Sequence, residues 1–79
     1  MKTLNIKTSG QLPDLRVRNP LFYSKSTNSN DISLYAHGTQ TLAIQLNDAE
    51  DSIQLHGEMN LSELDVAMTT SETLVIVAF

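Results

Sequence analysis

The chain has 79 residues, no cysteine and no tryptophan, with 41% hydrophobic residues, 18% charged residues and a net charge of −4. That length holds one domain, and a domain so small removes only about 60% of its unfolded surface from water. Without cysteine, neither a disulfide scaffold nor a thiolate zinc site can add stability, which leaves a dry core, a His/carboxylate metal site or contacts with partner subunits.

The charge is unevenly spread. All five basic residues, Lys2, Lys7, Arg16, Arg18 and Lys25, lie in the first part of the chain beside a single acid, Asp14. Residues 26–79 hold the other eight acids and no Lys or Arg. A segment of +4 is therefore followed by one of −8. The two can neutralise each other within one chain or offer opposite charge to neighbouring subunits.

Period two dominates the chain. Leu4 and Ile6 alternate with Thr3, Asn5 and Lys7, a short half-buried strand, and Ser9-Gly10 breaks it. Leu15-Arg16-Val17-Arg18 alternates again, with both arginines on one face, before Asn19-Pro20 turns the chain. Leu21-Phe22-Tyr23 supplies large anchors, and residues 24–31 form a polar loop with nothing to bury. Ile32, Leu34 and Ala36, then Leu42, Ile44 and Leu46, then Ile53 and Leu55 give three alternating runs with short connections. They predict an antiparallel three-strand meander over 32–56.

Beyond Gly57 the pattern weakens. Ser62-Glu63-Leu64-Asp65 fits a capped helical turn, while Leu64, Val66 and Met68 at spacing two favour a strand. A turn follows at residues 69–72. The run 73–79 is β-branched and apolar on both faces, so it needs cover on both sides. Residues 1–79 thus predict one all-β domain, a small antiparallel β-sandwich or open β-barrel of about six or seven short strands with at most one helical turn.

No apolar leader follows Met1-Lys2, and the longest apolar run, Leu74 to Phe79, is far short of the ~20 residues that span a bilayer. The expected location is the cytoplasm or a particle assembled there, with no membrane partner. Asn60-Leu61-Ser62 fits a glycosylation acceptor, which has no use without secretion.

Chemistry-bearing motifs are sparse. Leu34-Tyr35-Ala36-His37-Gly38 and Ile53-Gln54-Leu55-His56-Gly57 echo each other. In a meander they place His37 and His56 at one end of the sheet with Glu58 nearby, a two-His-one-carboxylate arrangement. Two histidines without a recognised spacing do not make a metal motif, so no metal or other cofactor is expected. Neither a nucleophile elbow nor a phosphate-cradling glycine loop occurs, which points away from catalysis. Overall acidity opposes nucleic-acid binding despite Arg16, Arg18, Phe22 and Tyr23.

The outward face of the expected meander, Ser33, Tyr35, His37, Ala43, Gln45, Gln54 and His56, carries no Lys, Arg, Asp or Glu. Interface centres are depleted of charge and enriched in Tyr. The expected interface residues are Tyr35, Gln45, Gln54 and His56 on that face, Leu74, Ile76 and Phe79 on the terminal strand, and Arg16 and Arg18 on the basic segment. The expected function is a non-enzymatic structural or interaction module acting as an oligomeric subunit of a larger assembly, such as a small virion protein that decorates or stabilises a capsid. The alternatives are a carbohydrate-binding or other ligand-binding β module, with Tyr35, Gln45, Gln54 and His56 as its platform, and an acidic inhibitor or antitoxin using residues 48–72.

Overall fold

A computed structural model of the chain describes residues 2–25, 30–47, 49–69 and 71–78. It is all-β, as the alternating pattern requires. The strands are β1 (Lys2–Ile6), β2 (Gly10–Gln11), β3 (Arg16–Arg18), β4 (Leu21–Ser24), β5 (Ile32–Ala36), β6 (Leu42–Leu46), β7 (Ser52–Gln54), β8 (Glu58–Asn60), β9 (Leu64–Ala67) and β10 (Leu74–Ala78). A 3₁₀ turn, Leu61–Glu63, joins β8 to β9. These are ten strands among the described residues, against the six or seven expected. The excess lies in pieces such as β2 and β8, of two and three residues, too short for an alternation to register.

Two four-stranded antiparallel sheets and a two-stranded ribbon make up the fold. The front sheet has the order β1-β10-β4-β7, the back sheet β2-β9-β5-β6, and β3 pairs with β8 in the ribbon. The chain crosses directly between the four-stranded sheets at β1–β2, β4–β5, β6–β7 and β9–β10, and by way of the ribbon strands β3 and β8 at β2–β4 and β7–β9, so both sheets contribute to one core. Phe22, Leu74 and Ile76 enter it from the front sheet, and Ile32, Leu34, Ile44, Leu46, Leu64 and Val66 from the back. Leu12, Val17 and Leu61 close it at the corners. This is a sandwich built by alternate residues of each strand turning inward.

The meander over 32–56 is corrected. β5 and β6 form the expected hairpin, but β7 pairs with β4 in the other sheet. The turn before β7 explains the switch. Ser24 N–H donates to Asp51 O (2.8 Å) and Glu50 N–H donates to Ser24 O (2.7 Å), tying that turn to the end of β4. In the back sheet the other neighbour of β5 is β9, which sets Asp65 opposite Tyr35. The back face is therefore not free of charge.

Leu42 also departs from its pattern. The β5–β6 register shifts between Leu34 and Tyr35, so Leu34 faces Ile44 but Tyr35 faces Leu42. This bulge turns Leu42 out of the core, where it is 51% exposed. Residues 58–68 combine both expectations, strand, turn and strand, with Asn60 rather than Ser62 as the cap: its Oδ1 accepts from Ser62 N–H at 3.0 Å. Of the polar loop 24–31, Ser24 ends β4 and is buried, and residues 26–29 lie outside the described residues.

Candidate functional site

The expected double-sided apolar character of the last strand decides where the site lies. β10 is a central strand of the front sheet, between β1 and β4. Its alternate residues Leu74, Ile76 and Ala78 are buried in the core, while Val75 and Val77 face outward and are half-buried. The register sets Val75 opposite Tyr23 and Val77 opposite Leu21 on β4. On the far side of β10, Val75 and Val77 meet Asn5 and Thr3 of β1. Beyond β4, Tyr23 and Leu21 meet Ser52 and Gln54 of β7.

The outward face of the front sheet therefore has a centre of Val75, Val77, Leu21 and Tyr23 on its two inner strands. Its rims, Thr3 and Asn5 on one side and Ser52 and Gln54 on the other, are exposed and polar. None of these eight residues is charged. Lys7 and Lys25 follow β1 and β4 in sequence at one end, beyond the strands. An apolar centre inside a polar, uncharged rim is an arrangement that protein contact surfaces share.

The expected interface residues fall elsewhere for the most part. Leu74 and Ile76 are fully buried in the chain's own core, and the outward, half-buried residues of this strand are Val75 and Val77. Phe79 lies outside the described residues. Gln54 is on the front rim, where its Nε2 donates to Asn19 O at 3.1 Å. His56 is exposed between β7 and β8. Tyr35 and Gln45 lie in the back sheet, with Ser33 Oγ donating to Gln45 Oε1 at 2.6 Å. The platform of Tyr35, Gln45, Gln54 and His56 is thus split between two sheets, because β7 left β6 for β4. Arg16 and Arg18 are exposed on the ribbon, and Arg16 pairs with Glu58 at 3.2 Å.

His37, His56 and Glu58 are not brought together. Among the described residues no group of three His, Cys, Asp or Glu side chains is placed to hold a metal. Glu58 is engaged by Arg16, and His37 by Asp65, whose Oδ1 lies 2.8 Å from His37 Nδ1. Because a carboxylate only accepts, Nδ1 carries the proton in this contact. Asp65 Oδ2 also accepts from Gly38 N–H at 3.1 Å, a bond that the left-handed backbone of Gly38 (φ 76°) allows. The His37 donor, then the Gly38 donor, hold the Asp65 carboxyl below its ordinary value of 3.8. Such an oriented imidazole resembles half of a nucleophile-activating dyad, but no hydroxyl bonds to His37 among the described residues. The glycosylation tripeptide is in structural use: Asn60 caps the 3₁₀ turn, and its Nδ2 donates to Asp14 Oδ1 at 2.7 Å.

The outward set Leu21, Tyr23, Val75 and Val77 was absent from the residues expected from sequence, although its signal was there. Phe22 and Ile76 are flanked on both sides by apolar residues, which a strand with one wet face does not need. No protein-family model matches this chain, and no curated protein or solved structure matches it significantly. Among the described residues no helix is long and apolar enough to cross a membrane.

Proposed function

We propose that this chain is a non-catalytic structural subunit that works in an assembly, docking through the outward face of its front sheet. The observation that carries this reading is the apolar centre Leu21, Tyr23, Val75 and Val77 within an uncharged rim. The assembly it suits is a particle of repeated protein subunits, with decoration or stabilisation of a virion capsid as the specific case. A small two-layer β domain with one dry face and an acidic remainder suits lateral or surface attachment to such a particle.

Native mass spectrometry of the protein isolated from its source tests this. The expected result is a multi-copy species or a defined complex with another protein. A lone monomer without a stoichiometric partner overturns the proposal.

A further inference from the structure

Resting on that reading, we infer that the occupant of the front face is a second copy of this chain, packed face to face about a two-fold axis. The face is self-compatible in charge. The chain carries −4 overall, so two copies repel through most pairs of surfaces. Thr3, Asn5, Leu21, Tyr23, Ser52, Gln54, Val75 and Val77 place no charge against themselves when the face meets its own image.

The arrangement of the face is also symmetric. Polar β1, apolar β10, apolar β4 and polar β7 follow one another across the sheet, so a copy turned over by two-fold rotation lays centre on centre and rim on rim. Isologous contact of this kind closes after two copies.

The dimensions of the molecule bound the contact area. The molecule measures 30 × 28 × 17 Å. Sheets stack about 10 Å apart, so the two layers account for the short dimension and the front sheet lies in the broad plane. An ellipse with the two long axes covers about 660 Å², the most that this broad plane offers a partner, against the ~800 Å² per partner of a standard stable interface. The dimer so formed is a four-layer stack in which β10 is covered on both sides, the condition its sequence imposes.

Static light scattering on the purified full chain, from about 1 μM to about 1 mM, tests the inference. The wild type is expected to be a dimer across the upper part of this range. Val75→Lys and Val75→Glu, each alone, are expected to give monomers, because each places two like charges in the dry centre of a two-fold interface. Mixing the two variants in equal amounts is expected to restore the dimer, since a face-to-face pair then sets Lys against Glu. Leu42→Lys, at the exposed bulge of the back sheet, makes the same charge change and should leave the dimer intact. Circular dichroism checks that every variant is folded, and recovery on mixing shows it independently.

A dimer that survives both Val75 substitutions overturns the assignment of this face. A mixture that stays monomeric overturns the face-to-face arrangement. A monomeric wild type overturns the second copy as occupant; the subunit reading then still stands if native mass spectrometry finds a different protein bound to the chain and Val75→Lys releases it.

Discussion

Asp65 shows how one carboxylate ties local sequence to long-range order. It belongs to β9, yet it accepts from His37 and Gly38 just past the end of β5 and so fixes the tip of the β5–β6 hairpin. Its folded pKa lies below its unfolded value, so its contribution is present above about pH 3.8 and is lost as pH falls through the lower folded value. Urea unfolding followed from neutral pH down to about pH 2 should show a drop in the midpoint below the ordinary aspartate range, and Asp65→Asn should remove part of that acid limb. An identical acid limb in the variant would show that Asp65 carries none of it.

Glu72 is a second carboxylate with a structural task. It is only 1% exposed. Its Oε1 accepts from Asn30 Nδ2 (3.1 Å), Thr69 Oγ1 (3.2 Å) and Ser71 Oγ (3.1 Å), and its N–H donates to Thr69 O (3.1 Å). These bonds close the β9–β10 connection against the approach to β5. Glu72→Ala removes the shared acceptor and should destabilise the fold by about 1–3 kcal/mol. In a domain this size that lowers the melting temperature by about 4–8 °C per kcal/mol. A shift of under about 2 °C would refute the role.

At the scale of elements, the corner between β3 and β4 is locked to the corner between β7 and β8. Asn19 N–H donates to Gly57 O (2.8 Å), and Gly57 N–H donates to Asn19 Oδ1 (2.7 Å). Both residues are left-handed, Asn19 at φ 47° and Gly57 at φ 100°. Asparagine tolerates such a backbone, and glycine alone is at ease with the larger value. Gly57→Ala meets no atom with its new Cβ, so its whole cost is backbone strain, about 1–3 kcal/mol, measurable as a fall in the urea midpoint at unchanged slope.

This clamp also marks the limit of what the chain discloses locally. The alternations Leu4/Ile6, Ile32/Leu34 and Ile44/Leu46 name both the strand and its inward face, because the pleat has period two. They do not name the neighbour. Ile53 alternates equally well beside β6 or β4, and the choice is made by Asp51 and Glu50 bonding to Ser24, about a third of the chain away, with Asn19's clamp at the other end of β7. Leu42 was misplaced for a related reason: one bulged residue reverses the face, and composition does not mark the bulge. The site was half legible. Its strand was evident in the two-faced run 73–79, but the choice of Val75 and Val77 over Leu74 and Ile76 needed the core to be known.

For the molecule as a whole, the fold interleaves the basic and acidic parts of the sequence. At one end of the sandwich Lys7 and Lys25 flank the same register level at Leu74, beside the Glu50–Asp51 turn. At the other end Arg16 and Arg18 share the ribbon with Glu58, and Asp14 bonds Asn60. Among the described residues only Arg16–Glu58 joins a Lys or Arg to a carboxylate within ion-pair distance, and both partners are exposed, so it adds little. Neither end carries a single sign, so the +4 and −8 segments do not form two oppositely charged surfaces, and the proposed association rests on the uncharged front face. That distinction has a measurable consequence. Association driven by opposite charges weakens as salt rises, whereas burial of Leu21, Tyr23, Val75 and Val77 does not, and screening relieves the repulsion between two acidic copies. Raising NaCl from about 50 to about 500 mM should therefore leave the dimer fraction unchanged or increase it, as read by light scattering at fixed protein concentration. Dissociation over that interval would mean that the charged ends, and not the front sheet, hold the copies together.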